Sequence, residues 1–550
     1  MGILKPVNQS KELFKGAFIL TIAALIVKIL SAIYRVPFQN IVGDVGFYIY
    51  QQIYPFYGIA IVLATTGFPV VISKLYAELT GKGDTEGAKR LIFMSYIFLQ
   101  LFGILCFTIL YFGADQIALW MNDAKLAILL RVVSIVFLMF PFISVLRGYY
   151  QGSGNMVPTA VSQVGEQVMR VSTILLLAYL FTKKGYSLYL IGGGAMFGAI
   201  TGSLVSAFIL FTFLWIRKEW KMLKLNKNVI RKSLFSSSNI FKALFSQGLA
   251  ICICGMLMIF IQLADSLNLY SLLVSSGVEK EWAKSLKGIY DRGQPLIQLG
   301  TVAATSISLS LVPLISSERF KKNPEFLHHK ITLAMKISIV VGLGATAGLW
   351  AIIKPTNIML FENASGSAML GVLSMIILLN TIISTMVAIM QGLGSLKYPA
   401  VIMITGFPVK YALNLLLIPH FGTMGAAVSS VMTLTVLGVA LSIKFKKIVT
   451  HPIYTLSFFK TVFLATLVMV FMLKGILFLT QFLDAVFASS RFIAAIQALS
   501  AVFIGGMIFL WLVIRGKVFP EEDLTLFPFG SKLALFLRKK DRSGNSGEKN

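Results

Sequence analysis

Five cations stand where a charge is least expected, inside long apolar runs: Lys28, Arg35, Arg170, Arg292 and Lys410. A charge at the centre of hydrocarbon costs about 2.5–3.5 kcal/mol on insertion scales, so it persists where a cavity, partner or ligand compensates it. At 1.5 Å per residue Lys28 lies ~20 Å above Lys15, and Arg170, after Pro158, also reaches roughly mid-depth. Arg35 sits near the far end of the same run as Lys28, and Arg292 near the start of another. Cations lining a wet cleft suit an anion, phosphate above all, because N–H donors of both types pair with its oxygens. These five are the expected substrate-binding residues. Three carboxylates lie close by in sequence. Glu166 is one helical turn before Arg170 and within reach of an i,i+4 ion pair. Asp291 is adjacent to Arg292, and a local pair is its competing role. Asp265 closes its run, as a cation ligand or as a helix-end residue. Asp265, Asp291 and Glu166 are therefore the expected ion-binding or gating residues. Lys410 has no acidic neighbour at helical spacing, and Asn414 lies one turn on.

Other chemistries lack their residues. Cys106, Cys252 and Cys254 have neither zinc nor thioredoxin spacing, and no Ser-His-Asp set is visible. The glycines of Gly342-Leu-Gly-Ala-Thr-Ala-Gly348 fall inside an apolar run, where they serve packing rather than a phosphate loop. Neither cofactor nor metal is expected, and no enzyme active site. The aromatic cluster Phe47, Tyr48, Tyr50, Tyr54, Phe56 and Tyr57 reads as a belt at the membrane interface. Stacking on a sugar is the sharper alternative.

The elements that must position these residues are membrane helices. Of 550 residues 57% are hydrophobic and 13% charged, more apolar side chain than a soluble domain can hide. Runs of about 20 apolar residues recur, each long enough to cross ~30 Å of hydrocarbon. Fourteen are expected, near 16–36, 47–73, 90–113, 125–148, 157–181, 188–216, 240–264, 291–316, 332–353, 367–390, 398–418, 423–444, 456–479 and 492–514. They are continuously apolar rather than alternating, which excludes barrel strands. The net charge of +27 does not point to nucleic acid, because the cations lie between the runs. Lys82, Lys89, Arg90, Arg217, Lys218, Arg319, Lys321, Lys444 and Lys446 fall on one side, and acidic loops such as those of Asp115 and Glu362 on the other. The positive-inside bias then makes both termini cytoplasmic, as an even helix count requires. The first run, Gly16 to Tyr34, lacks a small-residue cleavage site and reads as a span, not a removed signal.

The chain also repeats itself. Gln151-Gly-Ser-Gly154 precedes Pro158, and 240 residues on, Gln391-Gly-Leu-Gly394 precedes Pro399. The same offset carries Arg170 onto Lys410. Gly67-Phe-Pro-Val-Val71 has a counterpart in Leu311-Val-Pro-Leu-Ile315, and Gly198-Ala199 in Gly425-Ala426. Two six-helix lobes in parallel repeat are expected, with the substrate site between them. The divisions are 1–216, a basic linker 217–239, 240–448, two appended helices in 449–516 and a tail 517–550, whose stretch Leu533 to Lys540 can lie on an anionic leaflet.

These residues also carry a resemblance. Lys28-Ile-Leu-Ser-Ala-Ile-Tyr-Arg35 with Val42-Gly43, and Tyr290-Asp-Arg-Gly-Gln-Pro-Leu-Ile-Gln-Leu-Gly300, resemble helices one and eight of the lipid II flippase family. The Gln-Gly-x-Gly…Pro turns resemble the wider multidrug/oligosaccharidyl-lipid/polysaccharide exporter superfamily, including stage V sporulation protein B-like members. One departure is that Pro55 is followed by Phe56-Tyr57-Gly58-Ile59, where the Gram-negative members carry a basic pair. The resemblance, over about residues 10–450, implies two pseudo-symmetric lobes in a V and alternating access in a bacterial cell membrane. It implies movement of an undecaprenyl-diphosphate-linked saccharide, foremost lipid II, with Lys28, Arg35 and Arg292 at positions of family cations. A monomer is expected, with the bilayer and cell-wall synthesis enzymes as partners. The alternatives are a same-fold drug/cation antiporter, whose site should be dominated by carboxylates, and a flippase for another envelope or spore precursor.

Overall fold

A computed structural model describes residues 6–220, 237–302, 324–449, 455–480 and 490–520. Among the described residues every regular element is helical and no strand occurs. In hydrocarbon a helix satisfies its backbone donors and acceptors internally, so continuously apolar runs adopt it. Twelve helices among the described residues are long and apolar enough to cross a membrane. Two of them, Phe18–Gly81 at 64 residues and Lys397–Ile448 at 52, exceed twice the length that one crossing needs. Each is broken at a glycine. Gly43 has φ 70° and ψ −177°, and Gly422 has φ 56° and ψ −136°, conformations that a side chain would strain. The expected span 291–316 is described only to residue 302, so Pro313 lies outside the described residues. So do most of the linker, residues 221–236, and the tail from 521, including Leu533 to Lys540.

The chain packs as two units, Met1–Val302 with Leu393–Ser442, and Ala303–Gly392 with Ile443–Asn550. All eight residues singled out for chemistry belong to the first unit. There α1 (Pro6–Ile33) leads into α2 (Arg35–Val62), and a π-helical turn, Leu63–Gly67, precedes α3 (Phe68–Gly81) with Pro69 in its first turn. Proline lacks an N–H and crowds the preceding turn, so carbonyls there need other donors. Thr65 Oγ1 donates to the Ile61 carbonyl at 2.6 Å, Ser144 Oγ to that of Leu63 at 3.4 Å, and Arg147 Nη1 to that of Ala64 at 3.3 Å. Arg147 and Ser144 come from α4 (Val136–Gly152), which is thereby tied to the turn.

Two helices hold the Glu166–Arg170 segment. In α5 (Val157–Lys183) it faces Gly198 and Gly202 of α6 (Leu188–Ile216), and a Cβ on those glycines would lie 3.0 Å from the Arg170 carbonyl oxygen and 2.8 Å from that of Glu166. Small residues thus let the two backbones touch, as membrane packing favours. The turns before Val157 and Lys397 share one geometry: Gly154 has φ 82° and Gly394 φ 86°. In the second unit, Pro324–Ala351 packs on Ser367–Gly392 through Ser338 and Thr385, whose hydroxyls are 2.5 Å apart, and Gly342 faces Leu378. The glycines of that stretch do serve packing.

Candidate functional site

The first unit sorts its buried cations into two classes. Arg292 belongs to the neutralised class. The Lys280–Asp291 helix can approach α2 because Gly288 has no Cβ; one there would lie 2.1 Å from the Asp44 carbonyl oxygen. That contact brings Arg292 to Asp44, where its Nη2 donates to both carboxylate oxygens at 2.7 and 2.8 Å and its Nε to Oδ1 at 3.1 Å. Gln39 Nε2 adds a further hydrogen bond to Asp44 at 2.8 Å. Asp291 does not pair with Arg292, contrary to the local pairing that adjacency allowed. Neighbouring side chains on a helix diverge by ~100°, and Asp291 meets Lys287 one turn earlier, at 2.6 Å.

Lys410 is neutralised as well. Its Nζ lies 2.8 Å from Asp265 Oδ1, and it donates to Asn414 Oδ1, the Ala426 carbonyl and Ser429 Oγ. The second oxygen of Asp265 accepts from Tyr290 at 2.8 Å, and Asn414 bonds Asp265 and Asn268. Asp265 does not end its helix, which runs Leu257–Ser275. The apolar turn beyond it, with Leu269 and Leu273 buried, continues the span, and Asp265 lies in its interior at 1% exposure.

Arg35 and Arg170 form the other class. Both are buried, at 2% and 1% exposure, and among the described residues neither meets a carboxylate. Glu166, the expected partner of Arg170, instead accepts from Arg147 Nη2 at 2.8 Å. Arg147 is satisfied by further bonds to Ser162, Ser206 and the Ala64 carbonyl, so it is a structural cation linking α4, α5 and α6. Arg170 keeps one bond, to Gln167 at 2.6 Å.

Tyrosines enclose the pair. The Arg35 guanidinium lies 4.4 Å from the centre of the Tyr54 ring, and that of Arg170 is 4.8 Å from Tyr57 and 5.7 Å from Tyr34. Tyr34 and Tyr50 are joined hydroxyl to hydroxyl at 2.8 Å. Four of the six residues in the aromatic cluster are too buried for an interfacial belt: Phe47, Tyr48, Tyr50 and Tyr57 are all at 2% exposure or less, whereas Tyr54 and Phe56 are half-buried. Ring faces hold a guanidinium by about 0.5–2 kcal/mol but do not accept its in-plane N–H groups. Arg35 Nε, Arg170 Nε, Arg170 Nη1, the Tyr57 hydroxyl and Gln167 Nε2 are buried without a hydrogen-bond partner. A buried unpartnered donor costs about 1–3 kcal/mol. Anions, phosphate among them, have the oxygen acceptors that such donors lack, and planar guanidinium forks match phosphate oxygens. Lys28 is half-buried two turns before Arg35, and its carbonyl accepts from Gln298 at 3.1 Å.

Comparison with known proteins adds to this geometry. Residues 13–318 match the model of the polysaccharide biosynthesis protein family. A membrane protein of Bacillus subtilis (strain 168), YabM, is 44% identical across 97% of this chain and 98% of its own length. The chain belongs to the polysaccharide biosynthesis protein family. The lipid II flippase MurJ of Bacillus subtilis (strain 168) is 26% identical over 77% of this chain and 80% of its own. A solved structure of lipid II flippase MurJ, in an inward closed conformation, matches with a TM-score of 0.66 at 16% identity, over 91% of this chain and 99% of that one. The fold is that of the exporter superfamily whose motifs the sequence resembles.

Of the cations expected to bind substrate in this member of the polysaccharide biosynthesis protein family, Arg35 and Arg170 are brought together under one set of tyrosines. Arg292 and Lys410 are each tied to a carboxylate. Sequence reasoning did not single out Tyr34, Gln167, Arg147, Lys287 or Asn268. Tyr34, Arg147 and Gln167 were polar side chains within apolar runs, Asn268 and Lys287 lay outside the expected runs, and the Arg147–Glu166 and Asn268–Asn414 contacts join positions on different helices.

Proposed function

We propose that this protein moves a polyprenyl-diphosphate-linked saccharide from the inner to the outer leaflet of a bacterial cell membrane by alternating access, with lipid II as the foremost cargo. The observation that carries the reading is the pair Arg35 and Arg170, buried, without a carboxylate and with unpartnered N–H groups. A diphosphate supplies the acceptors these groups lack, and its charge compensates two cations at once. The lipid II flippase MurJ among the relatives supports the choice of cargo. A drug/cation antiporter would need a carboxylate free to receive a cation. Asp44, Asp265, Asp291 and Glu166 each already hold a lysine or arginine, which disfavours that reading.

The same proposal takes fourteen spans in two lobes, both termini in the cytoplasm, a monomer and no bound nucleotide. Its test is depletion of the protein from its host, followed by mass spectrometry of the lipid-linked saccharides that accumulate. Accumulation of lipid II on the inner leaflet is the expected result. Accumulation of a different polyprenyl-diphosphate saccharide would keep the class and replace the cargo. A lipid-linked pool that does not change would contradict the proposal.

A further inference from the structure

We infer that the Lys410 ammonium is a tethered substitute for a free monovalent cation, so that the chain carries its own cation at this place and needs neither sodium nor potassium there. Four oxygens surround Nζ: Ser429 Oγ at 2.6 Å, the Ala426 carbonyl at 2.7 Å, Asp265 Oδ1 at 2.8 Å and Asn414 Oδ1 at 2.9 Å. An ammonium has three N–H donors, one fewer than the oxygens around it. A carboxylate, an amide, a backbone carbonyl and a hydroxyl converging on one point form a donor set suited to a spherical hard cation. Its charge also balances only when one positive charge is present, because Asp265 is at 1% exposure and Lys410, Asn414 and Ser429 at 0%. The second Asp265 oxygen is occupied by Tyr290.

The cage spans separate segments. Asp265 comes from the Leu257–Ser275 helix, Lys410 and Asn414 from before the Gly422 break, and Ala426 and Ser429 from after it. A cation at the centre therefore clips three pieces together. A covalently held one does so without a binding equilibrium, so the clip cannot be lost or set by an ion gradient. The inference is independent of the cargo, because it concerns the packing of these helices alone.

The experiment uses Lys410→Met, which keeps the apolar stem and removes the ammonium. Thermal unfolding of the purified full chain is followed in choline chloride, with sodium or potassium chloride exchanged in at constant ionic strength. The wild type is expected to unfold at the same midpoint in all three salts. Lys410→Met is expected to unfold lower in choline and to gain several degrees, saturably, in sodium or potassium. Adding Asp265→Asn to that variant removes the charge the ion would balance, and the salt response should vanish. A wild-type midpoint that rises in sodium or potassium over choline would overturn the inference. A folded Lys410→Met variant that responds to neither ion would do the same. So would failure of Lys410→Met to fold in every salt while the double variant folds.

Discussion

Each buried arginine is defined by what lies opposite it, and the two classes respond differently to substitution. Asp44→Asn leaves Arg292 buried without its carboxylate, and breaking a buried pair costs about 3–5 kcal/mol. Adding Arg292→Gln should recover most of that loss, because no uncompensated charge remains. Thermal unfolding of the two variants checks this; a double variant no more stable than Asp44→Asn would count against the pair. Arg147→Met should also be destabilising, because Glu166 keeps its burial and loses its partner. The residue types that carry charge were legible in the sequence. Their partners were not. Asp44 and Arg292 are separated by 248 positions and Asn414 and Asp265 by 149, and only the folded chain makes them neighbours. Helical spacing pointed Arg170 to Glu166, and Arg147, 19 positions before Glu166 on another helix, took the carboxylate.

At the scale of elements, two glycines set where α2 bends and how closely the Lys280–Asp291 helix approaches it. Gly43 occupies φ 70°, ψ −177°, a region that glycine alone enters readily, so Gly43→Ala should cost about 1–3 kcal/mol. Gly288→Ala places a methyl against the Asp44 backbone and should cost about 1–3 kcal/mol through overpacking, while displacing Arg292 from its carboxylate. Unfolding midpoints of both variants should fall; an unchanged Gly288→Ala midpoint would mean that the contact is slack. Continuous apolar runs and prolines made helices legible, and the repeated Gln-Gly-x-Gly turns kept one backbone geometry at Gly154 and Gly394. Helix ends were less legible. Asp265 reads as a terminus because a charge interrupts the run, whereas the buried Lys410 ammonium lets the helix pass through it to Ser275.

For the whole molecule, composition alone excluded a soluble fold, and every regular element among the described residues is helical. Which cations are already paired was not legible, because their carboxylate partners lie far off in sequence. With Arg35 and Arg170 as the anion site, the energetics of transport follow from the cargo. A diphosphate carrying about two negative charges moves outward against a cytoplasm that is electrically negative, and gains ~5 kcal/mol at 100 mV. The protein's own cations return when it resets, so only the cargo's charge crosses in a full cycle. Flipping in sealed vesicles should then slow when the potential is collapsed, and continue when sodium and proton gradients are removed. A rate that ignores the potential and stops with either gradient would contradict this. The most direct test of the site is the rate at which the reconstituted protein exposes a polyprenyl-diphosphate-linked saccharide at the opposite leaflet, compared with Arg35→Met, Arg170→Met and their combination. The single variants should lose about ten- to a hundredfold, on the order of the 1.5–3 kcal/mol of a charge-assisted hydrogen bond, and the combination should lose transport while remaining folded. A folded double variant that transports at the wild-type rate would contradict the assignment of these two arginines to the cargo.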